Sequence, residues 1–327
     1  TLFSSHDQDQ CANSALSRAK PVIEFSATPI PPFGPSMAAF QSPHYSPQTG
    51  ASSDAAQRCP IAQAPALRYK TSMDIPTFSS ILITGGSSGI GRALATELAK
   101  PGVRITLTGR DQNRLNDAVQ ACRAKGADVE GHVLDVTDSH ALAQLIDAAD
   151  KARPLDLVIA NAGISGGAGS DAKDADQTHR IIDINITGVI NTVLPAVDAM
   201  RTHGRGRIGI VSSLAGFRGM PTAPAYSASK VAVKAWGDAI RPGLAKDGIG
   251  LSMIYPGFVE SRITDANDFP MPMLMKAPRA AEIIHRGLAD GKRAITFPWP
   301  MVLMMRLLSA LPGPLFDALL ARAPKKG

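Results

Sequence analysis

The sequence predicts an α/β fold built on a doubly wound parallel sheet, and three observations support this prediction. From about residue 80, short apolar segments alternate with segments whose apolar residues recur at helical spacing. The first apolar segment runs directly into a glycine-rich turn that opens a helix. The 327-residue chain is 44% hydrophobic and 19% charged, which suits one large globular domain. We therefore expect a single domain with helices on both faces of its sheet.

The predicted elements follow one another as strand, helix, strand over most of this region. The first strand is Ile81–Ile83, and the helix after it ends at Pro101 and Gly102, which cannot continue it. The later strands are Val103–Thr108, Val129–Leu134, Leu155–Ala160, Arg207–Val211 and Ile249–Tyr255. The later helices are Gln112–Lys125, His140–Lys151, Asp176–Met200 and Ala225–Ala245. Together they predict a sheet of six or seven strands, with ligands at the carboxyl ends of the strands.

The two ends of the chain differ from this domain, which we assign to residues 73–297. Residues 1–72 are rich in Pro, Ser, Ala and Gln without periodicity, so we expect a disordered leader. Met73 stands just before the first strand, and our hypothesis is that it is the functional start. A transit peptide is the open alternative for the leader. Residues 298–327 form an apolar helical tail with a basic end.

Composition excludes several classes of function. The net charge of +6 comes from scattered Lys and Arg, so we predict no nucleic-acid partner. The cysteines are Cys11, Cys59 and Cys122, without a CxxC pair or histidines at ligand spacing. We expect neither a disulfide framework nor a metal site. No apolar run approaches the roughly 20 residues that span a bilayer.

The glycine-rich turn predicts a dinucleotide site. It reads Thr84-Gly-Gly-Ser-Ser-Gly-Ile-Gly91 between the first strand and its helix. Glycines allow the backbone amides to approach a pyrophosphate, and the helix N-terminus stabilises its charge. The predicted cofactor-binding residues here are Gly85, Ser87, Ser88, Gly89, Ile90 and Gly91. The position of the turn makes the domain a candidate Rossmann fold.

Arg110, at the end of the second strand, predicts NADP as the cofactor. Rossmann domains that prefer NAD place a carboxylate there to accept hydrogen bonds from the ribose. This chain has Gly109 and Arg110 instead, and a guanidinium can bind a 2′-phosphate. A surface arginine that only opens the next helix is the alternative.

Seven motifs in this order resemble those of short-chain dehydrogenases/reductases over residues 78–262. They are the glycine turn, Asp135-Val136, Asn161-Ala162-Gly163, Asn185, Ser213, Tyr226-Ser-Ala-Ser-Lys230 and Pro256-Gly257. The family often has a second Asn in place of Ala160. The resemblance implies an NADPH-dependent oxidoreductase that interconverts carbonyl and alcohol by hydride transfer.

Tyr226 and Lys230 lie one helical turn apart, so they share a face of the predicted helix. A phenol can protonate the alkoxide that forms when a ketone accepts a hydride. We expect the Lys230 ammonium and the oxidised nicotinamide to lower the pKa of Tyr226. Ser213 would polarise the carbonyl, with Ser212 one position out of the family's register. By resemblance, Asn185 would hold a water linked to Lys230.

The resemblance implies the remaining contacts to the cofactor. Asp135 and Val136 would border the adenine, and Asn161, Ala162 and Gly163 would line the nicotinamide side of the sheet edge. Lys230 would contact the nicotinamide ribose. Pro256, Gly257 and Val259 would complete the nicotinamide side, with Ser261 near the carboxamide.

The resemblance implies a small carbonyl or alcohol compound as the substrate, and the sequence leaves its identity open. The predicted lid, Arg262–Lys276, contains Met271, Met273, Leu274 and Met275, which suit an apolar substrate or ordinary lid packing. The tail could cover the substrate mouth, contact another subunit or lie in a membrane interface. We expect a cytoplasmic homo-oligomer, with peripheral membrane contact open. The alternatives are a reductase of long-chain lipid ketones and a non-catalytic NADP-binding regulator.

Overall fold

The computed structural model describes residues 78–166, 175–265 and 271–320, so the leader predicted over residues 1–72 lies outside it. Seven strands form one parallel sheet in the order β3-β2-β1-β4-β5-β6-β7. The strands are β1 (Ser80–Ile83), β2 (Arg104–Gly109), β3 (Asp128–Val133), β4 (Leu157–Ala160), β5 (Gly206–Val211), β6 (Ile249–Pro256) and β7 (Ala294–Phe297). This order confirms the doubly wound Rossmann sheet. It also leaves a crevice where the carboxyl ends of β1 and β4 diverge.

Helices cover both faces of the sheet. They are α1 (Gly89–Leu98), α2 (Gln112–Arg123), α3 (Ser139–Ala152), α4 (Ala175–Ile182), α5 (Gly188–His203), α6 (Pro224–Lys246), α7 (Arg262–Asp265), α8 (Ala277–Ala289), α9 (Trp299–Ala310) and α10 (Gly313–Leu320). A π-helical turn, Asp183–Thr187, joins α4 to α5, and a 3-10 turn, Leu214–Gly216, follows β5.

The strand residues alternate between two apolar layers. Ile81 and Ile83 of β1 face the layer that includes α1, α2 and α8. Leu82 faces the opposite layer, which includes α3, α5 and α6. Because both faces of the sheet are covered, the central strands β1 and β4 are wholly buried and almost continuously apolar, as in parallel sheets generally.

Three elements differ from the sequence prediction. Strand β4 begins two residues late because the Leu155 amide donates to the Asp150 carboxylate and Asp156 accepts from the Ser79 amide. The seventh strand, β7, has four residues and is not among the strands predicted from the sequence. The predicted helix Asp176–Met200 is interrupted by the π-helical turn.

The apolar C-terminal helix is present as α9, and it packs on the domain. Met301, Val302 and Met305 are buried in the layer that contains α5 and α6. The opposite side of α9 is exposed, including Trp299 and Leu303. The basic end after Leu320 lies outside the described residues.

The helical stretch 175–203 is long and apolar enough to cross a membrane by length and composition alone, with a mean hydropathy of 1.3. Half of its apolar window is buried inside the fold. Val193, Ala196 and Met200 are fully buried against the sheet. The stretch is therefore accounted for as a core helix of the domain.

Candidate active site

The glycine turn connects β1 to α1 and brings backbone amides to the crevice. Gly85 and Gly89 have φ values of +67° and +52°, a region that other residues rarely adopt. Ser88 begins α1 without a side-chain cap, and the first turn of α1 contains no acidic residue. The first amides of α1 therefore remain available to an anion, as a pyrophosphate site requires.

Asn161, at the end of β4, forms hydrogen bonds with the backbone of the glycine turn. Its Nδ2 donates to the carbonyl oxygens of Thr84 at 2.9 Å and Gly85 at 3.0 Å. The Thr84 hydroxyl accepts in turn from the amides of Asn161 and Ala162, at 3.2 and 3.4 Å. Asn161 thus holds the glycine turn through its side-chain amide.

The end of β2 is shaped to let the glycine turn approach it. The Gly86 amide donates to the Thr108 carbonyl at 2.8 Å. A Cβ on Gly109 would lie 2.7 Å from the Ser87 hydroxyl oxygen, so only glycine fits there without displacement. Ser87 is buried behind the turn, whereas Arg110, the residue directly after β2, is half exposed.

Arg110 and Asp135 face each other across the ends of β2 and β3. A guanidinium nitrogen of Arg110 lies 3.6 Å from the Asp135 carboxylate. Asp135 also accepts hydrogen bonds from the Thr137 amide and hydroxyl, at 3.0 and 2.9 Å. Burial pushes the pKa of Asp135 up, but the Thr137 hydrogen bonds and the charge of Arg110 outweigh it and hold the pKa below its usual value. The neighbouring Val136 is buried, and its carbonyl accepts from Asn191.

Tyr226, Lys230 and Ser213 meet at the carboxyl end of β5. Lys230 is 3% exposed; its ammonium nitrogen lies 5.7 Å from the centroid of the Tyr226 ring and donates to the Val211 carbonyl at 3.0 Å. Ser213 is hydrogen-bonded to the Tyr226 hydroxyl. The structure therefore brings together three residues that the sequence placed on a strand end and on a helix.

The ionisation of this group differs from the sequence expectation. Burial raises the pKa of Tyr226, and the hydrogen bond with Ser213 offsets only part of that rise. Burial also lowers the pKa of Lys230 to about 8. The expected lowering of the Tyr226 pKa by Lys230 is thus wrong for the protein alone, because desolvation penalises the charged form of both groups.

Buried hydroxyls between and beside the catalytic candidates fix α6. The Ser212 hydroxyl donates to the Lys230 carbonyl at 2.9 Å, which gives this serine a structural contact. The Ser229 hydroxyl donates to the Tyr226 carbonyl at 2.7 Å. Ser227 donates to Pro224 at 3.1 Å and accepts from the Met220 amide at 3.0 Å.

Asn185 lies in the π-helical turn and is fully buried. Its Oδ1 accepts from the Ile164 amide at 2.8 Å, and its Nδ2 donates to the Ile164 carbonyl at 2.9 Å. Nδ2 also donates to the Ser229 hydroxyl at 3.0 Å. The side chain thus joins the segment after β4 to α6. A Cβ built on Gly163 would lie 3.2 Å from Asn185 Oδ1 and 3.5 Å from Lys230 Nζ.

The segment after β6 closes the other side of the crevice. The Gly257 amide donates to the Phe297 carbonyl at 2.8 Å, beside the cis peptide that joins Phe297 to Pro298. Val259 is buried and forms a bridge with Met275. Ser261 lies against the glycine turn, since a Cβ on Gly89 would be 2.9 Å from the Ser261 Cβ.

The described part of the predicted lid divides into core and exposed residues. Met275 packs against the apolar layer of α1 and α8, so it contributes to the core. Met273 and Leu274 are exposed, and Met273 has a φ of +59°. Residues 266–270 of the predicted lid lie outside the described residues.

Sequence reasoning missed the groups that hold the site in place. Exposed Thr137 binds Asp135, two residues away, through its amide and hydroxyl. Thr84 and Ser229 each bind another site residue through a buried hydroxyl. The contacts of these two buried residues join parts of the site that are far apart in the chain, as between Asn185 and Ser229. Only the small polar residues inside the motifs could have indicated these roles.

The residues of the crevice fit a dinucleotide. The uncapped amides of α1 suit a pyrophosphate, Arg110 supplies a cation at the end of β2, and Lys230 supplies one near the opposite end of the crevice. Gly109 provides the close approach of backbone that such a cradle needs. The arrangement can hold a nucleotide beside the hydroxyl of Tyr226.

Comparisons with known proteins show a family match and several similar proteins. Residues 79–269 match the family model described as short chain dehydrogenase. An uncharacterized oxidoreductase of Myxococcus xanthus is 40% identical over 243 residues, which cover 74% of this chain and 96% of that protein. A 3-dehydrosphinganine reductase of Arabidopsis thaliana is 31% identical over 240 residues, covering 69% of this chain and 72% of the relative.

A solved structure is also similar. The short chain dehydrogenase/reductase from Burkholderia phymatum, in complex with NAD, has a TM-score of 0.65 and 25% sequence identity. The match covers 77% of this chain and 98% of that one.

Proposed function

The chain belongs to the short-chain dehydrogenase family, and from that premise we propose that it is an NADPH-dependent oxidoreductase that interconverts a carbonyl and an alcohol. The observation that carries the proposal is the group formed by Tyr226, Ser213 and Lys230. A buried ammonium lies over the ring of a tyrosine whose hydroxyl is hydrogen-bonded to a serine. This group can bind a carbonyl oxygen and give it a proton.

The proposed catalytic roles follow from what each side chain can donate. Bound NADPH would supply the hydride. Ser213 would donate a hydrogen bond to the carbonyl oxygen, and Tyr226 would deliver the proton that the oxygen needs as its charge grows. Lys230, fixed by Val211, would stabilise the phenolate that Tyr226 becomes. In the oxidation direction Tyr226 would act as the base.

Asn185 and Ser229 help to position Tyr226 and Lys230 on α6. Asn185 binds the backbone of Ile164 and the hydroxyl of Ser229, one residue before Lys230. We propose that this contact sets the distance between the segment after β4 and α6. The water-holding role implied by resemblance remains part of the proposal for Asn185.

The proposed preference for NADP rests on Arg110. Its half-exposed guanidinium stands at the end of β2, where the residue is not an acid, and it pairs with Asp135 at 3.6 Å. A 2′-phosphate brought to this position would gain a charge-assisted hydrogen bond that NAD cannot make. Asp135 and Val136 would border the adenine, and Pro256, Gly257, Val259 and Ser261 the nicotinamide side.

A second candidate, a reductase of long-chain lipid ketones, is favoured by one structural observation and one relative. Met273 and Leu274 of the predicted lid are both 43% exposed, and apolar side chains at a substrate mouth suit an apolar substrate. The similar Arabidopsis protein is named a 3-dehydrosphinganine reductase. We propose an apolar carbonyl substrate on this basis. From the family resemblance we also propose that the active form is a homo-oligomer.

The experiment for this proposal is a screen of NADPH consumption with aldehydes, ketosteroids, sugars and long-chain acyl ketones. We expect at least one apolar ketone to be reduced, with kcat/KM higher for NADPH than for NADH. An enzyme that binds NADPH but reduces no carbonyl in the screen would favour the non-catalytic regulator. A preference for NADH would overturn the assignment of Arg110.

A further inference from the structure

Exposed apolar side chains are concentrated on the C-terminal tail of the described chain. Six of the eleven exposed large apolar residues belong to α9 and α10. They are Trp299, Leu303, Met304, Leu307, Leu315 and Leu319, and we call them the apolar tail surface. Trp299 is 76% exposed and Leu307 is 63% exposed. Such a concentration of apolar residues on a surface indicates contact with a partner or a membrane.

The tail is packed on the domain by its other side, so this exposure is not that of a detached helix. Met301, Val302 and Met305 of α9 are buried against the core. On α9 the exposed Trp299, Leu303 and Leu307 recur every four residues, which places them on one face.

Arg218, from the segment between Ser213 and Tyr226, holds the junction of α9 and α10. Its guanidinium donates to the carbonyl oxygens of Leu308 at 3.1 Å, Ser309 at 3.4 Å and Leu311 at 2.6 Å. It also lies 3.8 Å from the centroid of the Phe316 ring, and Phe316 is buried. A cation here satisfies the last carbonyls of α9. The apolar tail surface is therefore held facing outward.

The charges of this region select one occupant. Between Trp299 and the end of the chain the sequence has four basic residues, Arg306, Arg322, Lys325 and Lys326, and one acid, Asp317. Arg306 is exposed at the edge of the apolar face of α9, on the side of Trp299. A second copy carries the same net positive sequence, so like charges oppose an isologous contact. An anionic lipid surface would instead attract them, and it accepts Trp at the headgroup level.

We propose that the apolar tail surface docks the protein on an anionic lipid bilayer, with α9 and α10 lying in the interface. Trp299, Leu303 and Leu307 enter the acyl boundary, while Arg306 reaches the headgroups. The helices lie on the membrane without spanning it, because α9 has twelve residues and one of its sides stays packed on the domain.

The test is co-sedimentation of the full chain with vesicles of phosphatidylcholine alone and of phosphatidylcholine mixed with phosphatidylglycerol. We expect binding to the anionic vesicles that weakens as salt is added. Leu303→Glu should reduce the partition coefficient about tenfold or more, because a leucine side chain leaves the apolar phase and a charge opposes the lipid. The control is Leu194→Glu on α5, a leucine of similar exposure, 50% against 52%.

Fluorescence gives an independent readout, since the chain has two tryptophans, Trp236 and Trp299. In Trp236→Phe protein, the emission of Trp299 should shift to the blue when anionic vesicles are added. Failure of the wild type to sediment with anionic vesicles would overturn the proposal, as would equal losses in the Leu303 and Leu194 variants. If the wild type did not bind vesicles and Leu303→Glu converted a dimer to a monomer, the partner of the apolar tail surface would be a second copy of the chain, and the proposal would be overturned.

These outcomes are separable from those of the proposed enzymatic function. NADPH binding in solution and reduction of a water-soluble carbonyl should be unchanged in Leu303→Glu, because the residue lies on the outer face of α9. Loss of vesicle binding with retained NADPH binding therefore reports on the tail alone.

Discussion

Lys230 lies over the ring of Tyr226, with its ammonium nitrogen 5.7 Å from the ring centroid and bound to the carbonyl of Val211. The two residues are one helical turn apart; Lys230 is buried, whereas Tyr226 is half-buried. Burial therefore acts against the charged form of each, raising the pKa of Tyr226 and lowering that of Lys230 to about 8. The charged form of each side chain is therefore disfavoured, and pKa values perturbed in this way are common at functional sites.

Lys230→Met should remove activity without lowering the stability of the cofactor-free protein at neutral pH. The pKa of Lys230 is about 8 in the folded protein, against an ordinary value of 10.5. Between these values the unfolded chain holds more protons, so wild-type stability rises with pH by up to about 3 kcal/mol. Denaturant unfolding from pH 7 to 10 measures this. The variant should lack the rise, and an identical pH profile in both proteins would contradict the prediction.

Arg110→Ala should lower kcat/KM for NADPH by about tenfold to a hundredfold, the usual range for a lost charge-assisted hydrogen bond. The value for NADH should stay nearly unchanged. Arg104→Ala is the matched control, because Arg104 lies at the other end of β2 and is paired with Asp128 and Glu130. If both variants lost NADPH and NADH activity alike, Arg110 would be a structural residue.

Ser213→Ala and Ser212→Ala should separate chemistry from structure in neighbouring residues. Loss of the Ser213 hydroxyl, which bonds to Tyr226, should lower kcat about a hundredfold. It also accepts from the Ala215 amide at 3.1 Å, so its loss should cost about 0.5–1 kcal/mol of stability. Ser212 is buried and bonds to the carbonyl of Lys230, so its loss should cost about 1–2 kcal/mol of stability. Thermal melts and steady-state kinetics on both variants measure the difference. The opposite assignment of the two losses would exchange their roles.

Asn161→Ala should weaken the cofactor site through the glycine turn. The variant leaves the carbonyl oxygens of Thr84 and Gly85 without their donor, so the free energy of unfolding should fall by about 1–3 kcal/mol. KM for NADPH should rise more than kcat falls, because the turn binds and does not react. Asn116→Ala on the exposed face of α2 is the control. An unchanged KM would show that Asn161 does not position the turn.

The sequence predicted the elements that depend on local pattern. The run from Ile81 to Ile83 and the glycines after it define a strand, a turn and a helix within a dozen residues. The spacing of Tyr226 and Lys230 placed them on one face because they share a helix. Strand β7 escaped prediction because its four residues are not a continuous buried apolar run: Ala294 is exposed and Thr296 is polar, whereas the equally short β1 and β4 are wholly buried.

Features that depend on contacts between residues far apart in the chain could not be predicted from the sequence. The bond between Asn185 and Ser229 joins residues 44 positions apart, and the π-helical turn around Asn185 has no simple sequence signal. The pKa of Tyr226 was expected to fall because its charged neighbour was visible in the sequence, whereas its burial was not. The hydrogen bonds from Arg218 to the carbonyl oxygens of the tail likewise depend on how the chain folds back.

The most direct test of the proposed chemistry compares wild type with Tyr226→Phe, at saturating NADPH, on the best carbonyl substrate from the screen. The phenyl ring keeps the packing against Lys230 and removes only the hydroxyl. We expect kcat to fall by about a hundredfold to ten-thousandfold, as for the loss of a general acid, while the Kd for NADPH stays close to that of the wild type. A variant that retains the wild-type kcat would contradict the assignment of Tyr226 as the proton donor.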